Sequence, residues 1–592
     1  MNNKPDGNYK MILPKKTIID AQGYKVPLYL DDCLMKLDFN ENALGPSPKV
    51  IEALKNISER EIKFYPAIGE LISLFAGLNN VEESMIMPTN GADEAINYIF
   101  DTFVDQKDDV ITATPAFTMP KVYAKSTGCN YKEIKYTERW VFPIDEFLNN
   151  INEKTRLVIV TTPNSPTGEA ISRENLIRII EKAKNSIVLI DETYSSFAKE
   201  QFHDLTFKYK NVIITRSMSK DYALAGLRIG YIISDPENIE YIRRIISPYS
   251  VNTLAAKAAI AALNDKEYFN WMKDQINQSK KILSGGLKVL GATVYPSESN
   301  FLCVDFGDKA EFIYKRLLNS GIKVKYFIND PDLKNCFRIT VPSPEQAKIF
   351  LDALNKRDLI IFDMDGVLVD TSNSYRMAIK ETYKYFAGKD ISFDEIQKAK
   401  NKGGLNNDWD LTEYLLINSG INISKNEIIN KFQELYFADG GKGYILNESL
   451  LVDPQFLRNL AKSHDLAIFT GRPGLEAEFV LKRWELEDLF SMLVAMEDVP
   501  EGLHKPEPYG IKQIQNVISS LNTYYLGDTP DDMISACRAG VKGIGILPPQ
   551  DKSENLKNRL LSEGAVIVLN QISDIINLSD IKGVQEYARK QS

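Results

Sequence analysis

The sequence predicts an α/β protein built from two consecutive domains, and three observations carry that expectation. Short apolar runs alternate with helical patterns along the chain (RLVIV, then ENLIRIIEKAK, then SIVLID, later NVIIT). That order belongs to parallel sheets layered with helices. The 592 residues are enough for about three to four domains. Near Asn355 the helical EQAKIFLDALNKR gives way to the apolar strand LIIF with almost no linker. We therefore divide the chain into residues 1–355 and 356–592.

Composition narrows the function classes. Hydrophobic residues at 44% and charged residues at 26% are ordinary for a soluble globular chain. The net charge of −9 gives no reason to expect a nucleic-acid partner. Cys33, Cys129, Cys303, Cys336 and Cys537 lie far apart without paired spacing, which points to reduced thiols and a cytoplasmic setting. The opening MNNKPDGNYKMILPKK has no apolar run of the kind a signal peptide needs. No segment approaches the ~18 apolar residues of a membrane span.

In the first domain, four elements form an ordered set. SIVLIDETY places Asp191 just past a strand, with Tyr194 three residues on. TRSMSK places Lys220 in the turn after another strand, and Arg228 follows eight residues later. Upstream, TNGAD (Thr89 to Asp93) precedes the helical EAINYIFDTF. Pyridoxal phosphate needs a lysine for its aldehyde, a carboxylate on its ring nitrogen and anchors for its phosphate. Backbone N–H groups at Gly91, Ala92 and Asp93 would open a helix suited to that phosphate. Ser217, Ser219 and Arg228 add hydroxyl and guanidinium donors. A lone loop lysine is usually solvated, and an aspartate after a strand is often a helix cap. SxSK followed by GLR, downstream of DExY, is harder to reach by chance.

Over about residues 8–355 the chain resembles the fold type I aminotransferases, within them the histidinol-phosphate aminotransferase family. The resemblance rests on FNENALGPSP (39–48), FYPAIGE (64–70), TNGADEA (89–95), TPNSPTG (162–168), DETYSSF (191–197), SMSKDYALAGLRIGY (217–231), YPSESNF (295–301) and FRITV (337–341). It implies a large α/β domain plus a small domain, with Lys220 carrying the cofactor and shuttling protons. Asp191 would meet the ring nitrogen, Tyr194 the ring hydroxyl, and Phe117 would stack on the ring where the family usually has Tyr. Tyr65 would reach the phosphate held by a neighbouring subunit, which implies a homodimer. Arg338 would bind the substrate's acid group. Two positions depart from the family. Ser165 stands where an Asn commonly contacts the ring hydroxyl, leaving that contact to Ser165 or Asn164. Lys325 stands where a second substrate-phosphate arginine is usual, and lysine is a point charge that cannot make the bidentate fork.

In the second domain LIIFDMDGVLVD sets Asp363 and Asp365 directly after an apolar strand. IFTGR (Thr470), HKPEP (Lys505) and YYLGDTPDD (Asp528, Asp532) come next in order. Gathered at the ends of parallel strands, they could share phosphoryl transfer through an aspartyl-phosphate. One carboxylate attacks phosphorus, a second protonates the leaving oxygen, and Mg²⁺ with a lysine offsets the charge. This set resembles the haloacid dehalogenase superfamily over about 358–580, which implies a Rossmann-like fold. It implies Asp363 as nucleophile, Asp365 as general acid/base, and Thr470 and Lys505 on phosphate. Asp363 and Asp528 would hold Mg²⁺, with Asp532 a further ligand or orienter and Asp365 counted among the metal-site carboxylates. The free acid at Asp365 favours a phosphatase over a dehalogenase. Residues at about 373–458 read as an inserted helical cap. Its KNKGGLNNDWDLT interruption offers Asn407, Asp408 and Trp409 to a substrate, or Trp409 to the cap's own packing.

The two readings share a phosphate. The leading expectation is a bifunctional enzyme that makes histidinol phosphate from glutamate and imidazole-acetol phosphate, then dephosphorylates it in histidine biosynthesis. Alternatives are the same reactions on another keto-alcohol phosphate, such as dihydroxyacetone phosphate giving serinol, or a decarboxylase of amino-acid phosphates fused to a phosphatase. A regulator built on the first fold would carry a basic DNA-binding segment ahead of it. The first ~30 residues are too short for one, on the usual domain-size prior.

Overall fold

The computed structural model describes residues 14–19, 35–137, 140–400 and 408–578. Its contacts divide the chain into two compact units. The first comprises the described residues up to Ala310 together with Gly321–Asp352, and the second comprises Glu311–Ser320 together with the described residues from Ala353 onward.

The first unit contains a seven-stranded sheet. Its order is Ile86–Thr89, Gly230–Ser234, Val212–Ser217, Ile187–Asp191, Thr155–Thr161, Asp109–Thr114, Asn130–Lys135. Gly230–Ser234 runs antiparallel to both neighbours, and the other pairings are parallel. Its inner strands are buried along nearly their whole length, which explains runs such as LVIV and IVLI without polar alternation. The helix Ala92–Phe103 buries Ala92, Ala95, Ile96, Ile99 and Phe100, spaced as one face of a helix requires. A second sheet of five strands has the order Met35–Leu37, Ile322–Tyr326, Cys336–Thr340, Phe301–Asp305, Thr293–Val294. In it Lys325 lies directly opposite Arg338.

The second unit is a six-stranded parallel sheet ordered Phe490–Val494, Asp465–Phe469, Leu359–Phe362, Thr523–Gly527, Lys542–Ile546, Ala565–Leu569. The α/β class read from the periodicity is therefore the class observed. Between the first two strands in chain order lie the helices Tyr375–Ala387, Phe393–Lys400, Asp408–Asn418 and Lys425–Tyr436. Two short strands, Val369–Asp370 and Ser449–Leu450, pair antiparallel where the chain leaves for and returns from this helical insertion. One apolar cluster runs from Phe362 and Leu466 in the sheet to Ile379, Leu416 and Phe432 in the insertion. Trp409 packs against that cluster. Asn407 lies outside the described residues.

Candidate active sites

The parallel strands of the first unit deliver their carboxyl ends to one edge. Asp191 ends its strand in register with Thr161 and Thr215, and Ser217 ends the next. Asp191 is buried, and its Oδ1 accepts from the Thr193 backbone N–H at 3.1 Å and the Thr193 hydroxyl at 2.7 Å. Burial pushes this carboxyl up to about 6 against those hydrogen bonds. Lys220 follows in the turn, and its Nζ donates to the Phe39 carbonyl at 2.8 Å. Burial, reinforced by the Arg338 charge, brings its ammonium down to about 8 although Glu41 and Asp93 oppose the shift. The Tyr194 hydroxyl is buried and accepts from Asn40 Nδ2 at 2.9 Å.

Gly91 precedes the helix Ala92–Phe103 with φ 87°, a conformation open to glycine at no steric cost. A Cβ there would come within 2.7 Å of the Arg228 guanidinium. Arg228 in turn pairs with Asp93 at 2.9 Å. Ser217 and Ser219 are buried beside one another, the Ser219 N–H donating to Ser217 Oγ at 3.2 Å. Helix N–H groups, two hydroxyls and a guanidinium make a donor set that fits a phosphate. Lysine, aspartate and tyrosine nearby fit the rest of pyridoxal phosphate. Phe117 is partly buried against the apolar cluster of the large sheet.

Asn164 is buried, and its amide donates to the Pro115 carbonyl at 2.9 Å and Thr167 Oγ1 at 3.0 Å. Its donors serve the loop, whereas Ser165 Oγ accepts from Arg338 Nη1 at 3.1 Å. Arg338 also donates to the Asp38 carbonyl at 2.6 Å. Lys325 is exposed on the neighbouring strand. Tyr65 is 75% exposed and stacks on Tyr249 with centroids 4.0 Å apart. The FNENALGPSP motif assigned no role to Asn40 or Glu41, which the fold brings to Tyr194 and Lys220.

In the second unit Asp363 directly follows the strand Leu359–Phe362, and Asp528 directly follows Thr523–Gly527 alongside it. Carboxylate oxygens of Asp363, Asp528 and Asp532 lie within 4.8 Å of one another, a set of hard oxygen donors that fits Mg²⁺. A Cβ on Gly366 would collide with the Asp528 carboxylate, so the glycine admits that ligand. Lys505 Nζ reaches Asp363 Oδ1 at 2.9 Å and Asp532 Oδ1 at 2.8 Å. Burial pushes the Asp363 carboxyl up. Burial acts on Asp532 too, but Lys505 and hydrogen bonds from Thr529 and Tyr525 outweigh it and hold that carboxyl down. Thr470 is buried after the strand Asp465–Phe469, its N–H donating to the Val494 carbonyl at 3.0 Å. The Asp365 carboxylate does not join the three converging acids. It pairs instead with Arg472, a residue inside the IFTGR motif to which the sequence reading gave no role.

The sequence model of the aminotransferase class I and II family matches residues 33–354, more than half of the chain. The chain belongs to that family. Residues 360–546 match the haloacid dehalogenase-like hydrolase model. The chain therefore joins a pyridoxal phosphate-dependent transferase to a hydrolase domain of a family that uses Mg²⁺. The histidinol-phosphate aminotransferase of Methanocaldococcus jannaschii is 34% identical over 352 residues, covering 58% of this chain and 92% of that protein. Its counterpart from Methanococcus aeolicus is 35% identical over 363 residues, covering 59% and 96%. Among solved structures, the histidinol-phosphate aminotransferase of Sinorhizobium meliloti in complex with pyridoxal 5'-phosphate superposes with TM-score 0.51 at 24% identity. That match spans 54% of this chain and 90% of that one. The Clostridium acetobutylicum enzyme gives 0.51 at 23% identity, over 54% and 98%. The two structural likenesses bear on fold alone.

Proposed function

We propose that this chain transaminates a keto-alcohol phosphate with glutamate and then hydrolyses the phosphomonoester of the amino product. Imidazole-acetol phosphate giving histidinol phosphate, then histidinol, is the substrate pair we favour. The observation that carries the reading is the presence, on one chain, of a transferase half whose relatives are named for a phosphate ester and a hydrolase half in which Lys505 meets Asp363, two residues before Asp365. A place in histidine biosynthesis in the cytoplasm follows from that substrate. Among the described residues no helix is long and apolar enough to cross a membrane.

In the transferase half, pyridoxal phosphate when bound supplies an aldehyde for the donor amine and a ring that takes up the electron pair left at the α-carbon. Lys220, with its ammonium lowered to about 8, can both accept and return the α-proton near neutral pH. Asp191 holds the ring nitrogen, Tyr194 with Ser165 or Asn164 the ring hydroxyl, and Phe117 the ring face. Gly91, Ala92, Asp93, Ser217, Ser219 and Arg228 hold the cofactor phosphate. Arg338 takes the substrate's acid group, and Lys325 meets its phosphate. Exposed Ile62, Phe64, Tyr65 and Tyr249 form the apolar surface on which we seat a second copy, Tyr65 reaching the partner's cofactor phosphate.

In the hydrolase half, Mg²⁺ when bound supplies charge that offsets the gathered oxygens. Asp363 attacks phosphorus as the bond to the alcohol oxygen breaks, and Asp365 gives that oxygen a proton. Water then attacks the aspartyl-phosphate, Asp365 takes its proton, and inorganic phosphate leaves. Thr470 and Lys505 hold the phosphoryl oxygens, and Asp363, Asp528 and Asp532 the metal. The test supplies glutamate and imidazole-acetol phosphate to the purified protein and tracks 2-oxoglutarate and free phosphate together. Lys325, exposed where the family carries a forked cation, favours a second reading with dihydroxyacetone phosphate as the acceptor. If that compound turns over far faster, the imidazole assignment fails while both reaction classes stand.

A further inference from the structure

The proposed hydrolysis steps make no use of Arg472 or Glu448, yet their side chains carry opposite charges at 0% exposure. Arg472 lies two residues beyond Thr470. Its Nε is 3.0 Å from Asp365 Oδ1, and Nη2 bonds the same oxygen. The far side of the guanidinium forks onto Glu448, with Nη1 2.9 Å from Oε2 and Nη2 3.2 Å from Oε1. Its face lies 5.2 Å from the centre of the Tyr375 ring. All these partners fix one orientation, because a planar guanidinium donates paired N–H bonds to two carboxylates only along its two edges.

Glu448 stands where the chain returns from the helical insertion, one residue before the short strand Ser449–Leu450. Its Oε1 accepts from Ser374 Oγ at 2.8 Å, on the outgoing connection, and from the Tyr436 hydroxyl at 2.7 Å, at the end of the last helix of the insertion. Glu448 thus gathers both connections and that helix onto Arg472. Buried ion pairs contribute little net stability against an apolar replacement. What this one supplies is a fixed place for the Asp365 side chain, which remains 35% exposed and so open to a substrate.

We propose that Arg472 is a positioning residue for the general acid Asp365, and that Glu448 sets Arg472 from the junction of the helical insertion, so that proton delivery to the leaving oxygen depends on that junction. This rests on the reading of Asp363 as nucleophile and Asp365 as acid. Arg472, sealed from solvent, acts through Asp365 and does not touch substrate.

The test compares two substrates that differ in their need for a proton. An alkyl phosphate (histidinol phosphate or glycerol 3-phosphate, whichever turns over faster) must have its leaving oxygen protonated. p-Nitrophenyl phosphate releases a stable phenolate without that help. Truncating Arg472 alone would leave Glu448 buried without its cation, so the variant is Arg472→Met/Glu448→Gln, which keeps the acceptor for Ser374 and Tyr436. Positioned general acids contribute about 10²–10⁴-fold, so kcat on the alkyl phosphate should fall by about 100-fold with KM little changed. In the first turnover, before the step in which Asp365 takes a proton from water, release of p-nitrophenolate should stay within about threefold while release of the alcohol falls by about 100-fold. The p-nitrophenolate burst reports that the same sample is folded and metal-loaded. Asp365→Asn should give the same selective loss in that first turnover, and should slow both substrates at steady state because the attacking water loses its base. Equal first-turnover losses on both substrates in the double variant, or no loss on the alkyl phosphate, overturn the proposal. If Asp365→Asn loses both first-turnover rates equally, the acid assignment falls and this proposal with it.

Discussion

The ammonium of Lys505 lies 2.9 Å from Oδ1 of Asp363, on the oxygen that also accepts the Met364 N–H at 2.8 Å. Both contacts fall on one oxygen of the proposed nucleophile. The same lysine binds Asp532, so one buried cation spans two of the three converging carboxylates and the phosphate they would meet. Lys505→Met should lower phosphomonoester hydrolysis by about 100-fold or more, the scale of removing one charge-stabilising donor from a closed site. Transamination should stay within about twofold, since Lys220 lies in the other unit and separated sites behave independently. Excess EDTA should abolish phosphate release, and added Mg²⁺ should restore it. EDTA-insensitive hydrolysis would exclude the metal assignment.

Lys220→Ala separates the two chemistries from the other side. The purified wild-type protein should be yellow, and the variant should lose both that absorbance and transamination while still hydrolysing a supplied phosphomonoester. Normal aminotransferase turnover in Lys220→Ala would show the first site to be misassigned.

Strand ends were the legible part of both sites. Asp191, Ser217, Asp363, Thr470 and Asp528 come at the ends of apolar runs, and a parallel sheet gathers the carboxyl ends of its strands on one edge. Contacts that depend on long-range closure left no local signal. Arg338 meets the Asp38 carbonyl across 300 residues, and Met35–Leu37 pairs parallel with Ile322–Tyr326, an alignment no periodicity announces. Arg472 stands in the IFTGR motif, but its partner Glu448 is an extended connecting residue with no motif around it. Only the pairing of Val369–Asp370 with Ser449–Leu450 brings Glu448 alongside.

Next to Asp191, Glu192 carries a buried structural pair. Arg216 reaches its Oε2 through Nε at 2.9 Å and Nη2 at 2.6 Å, while the Phe202 N–H donates to its Oε1 at 2.7 Å. Both side chains are buried. Glu192→Ala strands the guanidinium, and breaking a buried pair costs about 3–5 kcal/mol. A denaturation midpoint within error of wild type would contradict this. The loss should appear as lowered stability, with the kcat of the folded fraction less affected.

Glu476 predicts the sign of a pH effect. Burial raises its carboxyl from 4.5 to about 7, against hydrogen bonds from Gln433 and Tyr375 and the Arg472 charge. Between those values the folded chain holds a proton that the unfolded chain has released. Its contribution to stability is therefore complete below about 4.5 and lost as pH rises through about 7. Glu476→Gln cannot titrate. The difference in unfolding free energy between variant and wild type should shift in the variant's favour from pH 5 to pH 8. A pH-independent difference would place Glu476 in an ionised state throughout.

The joining of the two halves predicts coupled turnover without strong channelling. Tethering raises the local concentration of an intermediate only where release is slow compared with capture, and a small soluble amino-alcohol phosphate leaves one site and finds another by rapid diffusion. Given glutamate and imidazole-acetol phosphate, free phosphate should appear only when both Lys220 and Asp363 are intact. Lys220→Ala supplies hydrolysis without transamination, and Asp363→Asn the reverse. An equimolar mixture of those two variants should recover most of the wild-type flux after a lag set by accumulation of the intermediate. If the mixture stays far below wild type at every protein concentration while each variant keeps its remaining activity, the intermediate is passed within one chain, and the fusion does more than fix the ratio of two enzymes.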